Sequence, residues 1–211
     1  MIYLIGGPPR CGKTILAKRL SNKVGVSWIS ADTLESIAKQ YVPEVDQARL
    51  YPKNVLRNKT ARSNDQMYLQ FTTSEILDAY ITQSKSTWKA VATLVECMVK
   101  DDEDLIIEGH QIHPELIDEL VTSAKQIRSI VLIKNKVTDI VETARASQEK
   151  NDWFLKRTVD PNIHLKIAEM IAGYSKYYQS EAVKYNLPVV EYKGDFENQI
   201  TVALNSLLGG V

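Results

Sequence analysis

The stretch Ile2-Tyr3-Leu4-Ile5-Gly6-Gly7-Pro8-Pro9-Arg10-Cys11-Gly12-Lys13-Thr14 decides the architecture of this chain. Ile2 to Ile5 is an unbroken apolar run of strand type, bounded by Gly6-Gly7. From Lys13 to Val24 the apolar residues Ile15, Leu16, Leu20 and Val24 recur at helical spacing. Strand, glycine turn, helix is the setting in which Gly-x4-Gly-Lys-Thr cradles phosphate. Glycines let successive N–H groups turn inward, and the helix that follows adds its N-terminal dipole. Gly7, Pro8, Pro9, Arg10, Cys11, Gly12, Lys13 and Thr14 are therefore expected to hold the phosphates of ATP. Lys13 is aimed at the β- and γ-phosphates and Thr14 at Mg²⁺.

Outward from the loop, short buried strands alternate with helices. Val26 to Ser30 reads as a second strand, with a helix beginning at Asp32. Leu105-Ile106-Ile107 is a third strand ending in Glu108-Gly109, Ile127 to Ile133 a fourth and Pro188 to Tyr192 a fifth. Helices are expected over 114–122, 137–146 and 196–208. Ile163, Ile167, Met170, Ile171, Tyr174, Tyr178 and Tyr185 mark a long amphipathic one. Five buried strands between helices predict a parallel sheet covered on both faces. Residues 41–100 show no buried strand and read as a helical insertion. One helix is expected across Met67 to Ile81 and another across Trp88 to Met98. The polar segment 147–160, with Trp153-Phe154 at its middle, reads as a flap. The chain is expected to be one domain, with its core at 1–40 and 101–211, a substrate-binding insertion at 41–100 and a lid at 147–160.

Two acids fall at strand ends on the edge where open α/β sheets bind ligands. Asp32 follows the second strand. A carboxylate there suits proton acceptance from an attacking hydroxyl, or substrate positioning. The competing reading is a helix cap. Glu108 ends the third strand and suits the Mg²⁺ shell or the substrate; the competing reading is a solvent-facing acid. His110 and His113, three apart with no Cys beside them, are a weak metal signal and read as pocket or surface histidines. Residues 49–62 hold five basic residues and no acid, so Arg57 and Arg62 become candidate anchors for a substrate anion. A solvated charged face is the alternative. In the flap, Arg145 and Arg157, and less strongly Lys150 and Lys156, are candidates to close on the transferring phosphate.

The bulk properties agree with these expectations. The 211 residues are 44% hydrophobic and 25% charged, with a net charge of zero, which argues against a dedicated nucleic-acid binder. The zero hides an asymmetry: residues 1–100 carry 14 Lys and Arg against 8 Asp and Glu, and residues 101–211 carry 12 against 18. A basic half that holds the phosphate loop suits an anionic substrate. Two cysteines, one inside the loop, predict reduced thiols and a cytoplasmic protein. Cys11 is expected to be the faster to alkylate and Cys97 to be buried. The first residues lack the basic region of a signal peptide, and no apolar run reaches the length of a membrane helix.

Taken together, Ile5–Thr14, Ile29-Ser30-Ala31-Asp32 and Ile106–Pro114, with its Glu-Gly-His-Gln-Ile-His-Pro, resemble the P-loop kinases of the adenylate-kinase-like superfamily. They are most similar to 2-phosphoglycerate kinase and its relatives. The resemblance implies a P-loop NTPase fold, an α/β/α sandwich of three layers with a five-stranded parallel sheet in the order 2-3-1-4-5. It also implies a mobile lid and phosphoryl transfer from ATP. It breaks at Glu35, where related kinases often have an Arg that, in nucleoside-monophosphate kinases, helps hold the acceptor phosphate. The expected activity is transfer of the γ-phosphate to a small anionic acceptor. Lys13, Asp32, Arg145 and Arg157 would be catalytic, Asp32, Arg57, Arg62 and Glu108 would bind the acceptor, and Thr14 and Glu108 the metal. A nucleotide, nucleotide-sugar or polynucleotide 5′-end kinase remains an alternative, as does a nucleotide-binding regulatory module, though no Asn-Lys-x-Asp guanine motif is present. Oligomeric state and acceptor identity stay open at this stage.

Overall fold

A computed structural model describes residues 1–123, 126–147 and 152–209. Five strands form one parallel sheet: β1 (Ile2–Gly6), β2 (Trp28–Ser30), β3 (Leu105–Glu108), β4 (Ile127–Ile133) and β5 (Val189–Glu191), in the order β2-β3-β1-β4-β5. This is the expected order. Period-two alternation divides each strand between two cores. Tyr3, Ile5, Ile106, Ile130 and Leu132 face α1 (Lys13–Val24) and α12 (Phe196–Leu208), through Leu16, Leu20, Ile200 and Leu207. Ile2, Leu4, Ile107, Val131 and Ile133 face the other side. There α7 (Trp88–Lys100), α8 (Pro114–Ser123), α9 (Val137–Arg145) and the 24-residue α11 (Pro161–Lys184) close the sandwich. Ile163, Ile167, Met170, Ile171, Tyr174 and Tyr178 of α11 are all buried, as the periodicity predicts, whereas Tyr185, the last residue of the expected stripe, is the half-buried cap beyond the helix.

Register brings the ends of three strands to one edge. Ser30 is level with Glu108, and Glu108 with Ile5. The chain therefore leaves β1, β2 and β3 side by side, into the phosphate loop, α2 (Ala31–Gln40) and Gly109. A Cβ on Gly109 would lie 2.7 Å from the Ala31 Cβ, so only glycine lets β3 end against the start of α2.

Residues 41–100 contain α3 (Glu44–Leu50), α4 (Pro52–Lys59), α5 (Asn64–Gln70), α6 (Thr73–Ser86) and α7. The single helix expected across Met67–Ile81 is two. Thr72 breaks it: its hydroxyl accepts from the Glu75 N–H while Glu75 accepts from the Thr72 N–H, a closed capping box that restarts the chain as α6. Hydrophobic periodicity ran through that signal because Met67 and Tyr68 of α5 and Ile76 and Tyr80 of α6 enter the same core.

Of the expected flap, residues 148–151, including Lys150, lie outside the described residues. The remainder holds α10 (Trp153–Lys156) and is fastened at both ends. Asn64 Nδ2 donates to the Trp153 carbonyl (3.1 Å) and Thr158 Oγ1 (3.0 Å), and the Asp65 carboxylate accepts from the Val159 and Asp160 N–H groups. No helix among the described residues is long and apolar enough to cross a membrane.

Candidate active site

The phosphate loop wraps as its glycines allow. Gly7 has φ 133°, and a Cβ there would lie 2.0 Å from the Leu132 carbonyl oxygen. Gly12 (φ 88°) caps α1 without a side-chain acceptor, so the first N–H groups of α1 are left for a ligand. Lys13 is only 7% exposed and donates from Nζ to the Pro8 carbonyl at 2.7 Å, which curls the loop around its ammonium. Thr14 Oγ1 donates to Glu108 Oε1 at 3.1 Å, and Glu108 is 4% exposed. A hydroxyl and a buried carboxylate this close are two hard oxygens beside the phosphate site. That donor chemistry fits Mg²⁺, which takes a few protein oxygens and keeps its waters. Arg10, in the left-handed region at φ 65°, pairs with both oxygens of buried Asp152 and lies over the Phe154 ring at 5.3 Å. Asp152 and Phe154 of the flap are thereby tied to the loop.

Asp32 sits on the first turn of α2, but Ser30 is the cap: its hydroxyl accepts from the Asp32 N–H. The carboxylate of Asp32 turns across the cleft instead. Oδ1 accepts from Gln111 Nε2 (2.7 Å) and faces His110 Nδ1 at 3.4 Å. The side chain is 67% exposed, and the His110 and Gln111 contacts, with the Lys53 ammonium nearby, hold the carboxyl below the usual carboxylate range. Gln111 Nε2 also reaches Glu35 Oε2 (3.0 Å), and Glu35 Oε1 takes Lys53 Nζ at 3.0 Å and Gln83 Nε2 at 2.6 Å. Lys53 Nζ lies 3.4 Å from His110 Nε2. An ammonium can only donate, so Nε2 is the acceptor and the proton of the ring is on Nδ1, toward Asp32. Burial and Lys53 push the His110 pKa down, leaving the ring neutral at pH 7. Its carbonyl accepts from Tyr174 and Tyr178 hydroxyls at 3.0 and 2.6 Å, so the backbone behind it is pinned.

One cleft of about 790 Å³ unites these groups. Lys13, Thr14, Asp32, Arg57 and Glu108 all line it. Of the other loop residues, Pro9, Arg10 and Gly12 line it, whereas Cys11 turns into the α1–α12 core. Arg57 comes in from α4 with Nη2 donating to the Tyr80 hydroxyl (2.9 Å) and its guanidinium 5.7 Å over Trp153. Arg62, Arg145 and Arg157 are exposed and do not line the cleft. For Arg62 the reason is the turn after α4: Ala61 and Arg62 take left-handed backbone and reverse the chain before another helical turn can face inward.

The histidines are not a metal pair. His113 is buried with its nitrogens 2.8 Å from the Tyr174 hydroxyl and 3.3 Å from that of Tyr177, and burial pushes its pKa down to about 3. No cluster of three potential metal-ligating side chains occurs among the described residues.

Sequence reasoning missed two cations. Lys53 lay in the basic run but gave no sign that Glu35, eighteen residues earlier, would draw it inward. Lys134 follows β4 and is 3% exposed, with Nζ donating to Thr143 (2.9 Å) and 3.9 Å over the Tyr192 ring. Its place at the carboxyl end of a strand was the available signal.

The cysteines reverse the expected order. Cys11 is 1% exposed, and burial pushes its thiol pKa up despite Lys13 and Lys134 nearby, while Cys97 is exposed on α7. Loop position suggested an electropositive thiolate, but the side chain points into the core. Brief alkylation followed by peptide mapping should therefore label Cys97 first and leave Cys11 unmodified until the protein unfolds. Faster labelling of Cys11 would contradict the buried placement.

Comparison with known proteins bears on the fold. No protein-family model matches the chain, and no curated protein matches it. Among solved structures it is similar to a gluconokinase from Sinorhizobium meliloti 1021, with a TM-score of 0.54, 11% identity and coverage of 98% of this chain and 91% of that one. A sugar kinase from Janibacter sp. HTCC2649 aligns with a TM-score of 0.53 and 12% identity, over 99% and 94% of the two chains. The chain thus has the five-stranded α/β architecture of P-loop kinases.

Proposed function

We propose that this protein is an ATP-dependent phosphotransferase acting on a hydroxyl of a small anionic acceptor. The observation that carries the reading is convergence: the phosphate loop and Glu108 at one end of a single cleft, Asp32 and Arg57 at the other. A nucleotide switch has no use for the second end. Fold analogy with two kinases points the same way but is the weaker argument.

The loop N–H groups and Lys13 would bind the β- and γ-phosphates, and Thr14 with Glu108 would hold Mg²⁺. When bound, Mg²⁺ neutralises charge on the phosphate oxygens. The acceptor oxygen forms a bond to the γ-phosphorus as the bond from that phosphorus to the β–γ bridging oxygen breaks. ADP keeps that electron pair, and the hydroxyl proton passes to Asp32. With its carboxyl held low, Asp32 is a weak base, suited to orienting the hydroxyl and taking its proton late. This fits the loose transition state of phosphoryl transfer, where positioning and charge stabilisation dominate. The helical region 41–100 serves as the acceptor-binding unit, supported by Lys53, Arg57 and Tyr80 all reaching the cleft from it. Two features weigh against 2-phosphoglycerate itself: Glu35 is an acid, and its partner Lys53 is already engaged.

Glu108→Gln tests the metal assignment. It should raise the Mg²⁺ concentration for half-maximal turnover roughly 10- to 100-fold, the usual cost of losing an oxygen from a metal's surroundings. Binding of a metal-free ATP analogue should stay within about twofold, a margin well under one charge-assisted hydrogen bond. An unchanged Mg²⁺ dependence would take Glu108 out of the metal site.

A further inference from the structure

The acceptor end of the cleft has a charge pattern that narrows the acceptor's chemistry. Among the described residues five cations line the cleft, and four are engaged. Lys13 and Lys134 belong to the phosphate-loop end, on Pro8 and Thr143; Arg10 pairs with Asp152, and Lys53 with Glu35. Arg57 has no carboxylate partner among the described residues. One of its N–H groups is on the Tyr80 hydroxyl, and its guanidinium carbon lies 5.7 Å from the centre of the Trp153 ring. Its remaining donors have no hydrogen-bond partner among the described residues, and Arg57 lines the cleft. A planar guanidinium fork matches a carboxylate in bidentate geometry.

Opposing charge sets the limit on the other side. Asp32 and Glu35 are both held ionised, with Lys53 the sole cation bonded to either among the described residues. With Arg57 included, these four described side chains sum to zero charge. A singly charged anion satisfies Arg57. A phosphate ester would bring nearly two negative charges at pH 7 to one guanidinium in a cleft that also holds the Asp32 carboxylate, while Glu35 is already paired with Lys53. A neutral polyol would leave a half-buried guanidinium with only a phenol hydroxyl. Resting on the phosphotransferase reading above, we infer that the acceptor is a small hydroxy monocarboxylate, its carboxylate on the edge of Arg57 and its reacting hydroxyl on Asp32, and not a phosphorylated metabolite or a neutral sugar.

The experiment measures ADP formation by the full-length protein with Mg-ATP against three matched classes. These are hydroxy acids (glycerate, gluconate), phosphate esters (glycerol 3-phosphate, gluconate 6-phosphate) and polyols (glycerol, glucitol). The hydroxy acids should exceed both other classes in kcat/KM by at least about tenfold, the scale of one charge-assisted pair. Arg57→Met should lower kcat/KM for the acids roughly 10- to 100-fold, chiefly through KM, with Arg57→Lys recovering part of the loss. Glu35→Gln, which removes one fixed carboxylate, should narrow the gap between acids and phosphate esters. Melting temperatures of all variants with Mg-ATP analogue report that they are folded. Preference for phosphate esters, or polyols used as well as acids, overturns the inference and leaves phosphotransfer standing. No ADP from any class, although Mg-ATP binds, overturns phosphotransfer and the inference with it.

Discussion

Lys13→Ala should reduce phosphoryl transfer at least about 10³-fold, a loss of roughly 4 kcal/mol of transition-state stabilisation. In the structure the ammonium is enclosed by its own loop and held on the Pro8 carbonyl, where it opens on the cleft. Its charge therefore acts at short range and little screened by water, where an interaction with phosphate oxygens is strong. Affinity for an ATP analogue should fall as well, and melting temperature should change little, since the side chain serves a ligand rather than a core. Calorimetry, turnover and thermal unfolding on the same preparation check the three statements. Turnover equal to that of the parent protein would remove the central claim about this loop.

Asp32→Asn should leave Mg-ATP affinity intact and reduce transfer by about 10²–10⁴, the range for loss of a proton acceptor. The lower part of that range is expected, because a carboxyl held well below its ordinary pKa is a weak base. The same depression fixes the pH behaviour. The carboxylate is ionised throughout the neutral range, so turnover should show no inflection from Asp32 between pH 6 and 8. Its contribution to stability is present above the unfolded pKa near 4 and is lost as pH falls toward the lower folded value. Asn in its place removes that acid-side loss. Full turnover in Asp32→Asn would reduce the residue to a structural anchor for His110 and Gln111. Loss of nucleotide binding would assign it to the metal instead.

Some parts of this arrangement are legible in the sequence alone, and for local reasons. A phosphate loop works through backbone geometry dictated by consecutive residues, so Gly7 to Thr14 announce it without help from the rest of the chain. β1, β2 and β3 are short apolar runs with Gly or an acid at or just past their ends, so Asp32 and Glu108 could be set on one edge from spacing alone. The broken helix at Thr72 was legible too, in Thr72-x-x-Glu75, but periodicity masked the cap.

What needed the fold were pairings between residues distant in sequence. Arg57 and Arg62 are equivalent in a basic run, and only the left-handed turn after α4 sends one into the cleft and the other to solvent. Glu35 read as a missing cation; it is the anchor that brings Lys53 in. Cys11 sits in an electropositive stretch of sequence, yet the curl of the loop turns its thiol into the core. By itself the sequence determined the sheet, the phosphate loop and the edge that carries the cleft, because those follow from local pattern and strand direction. Only the tertiary structure decided which charges meet. An ion pair depends on where two long side chains are carried by separate helices, and that is a property of packing rather than of any one segment.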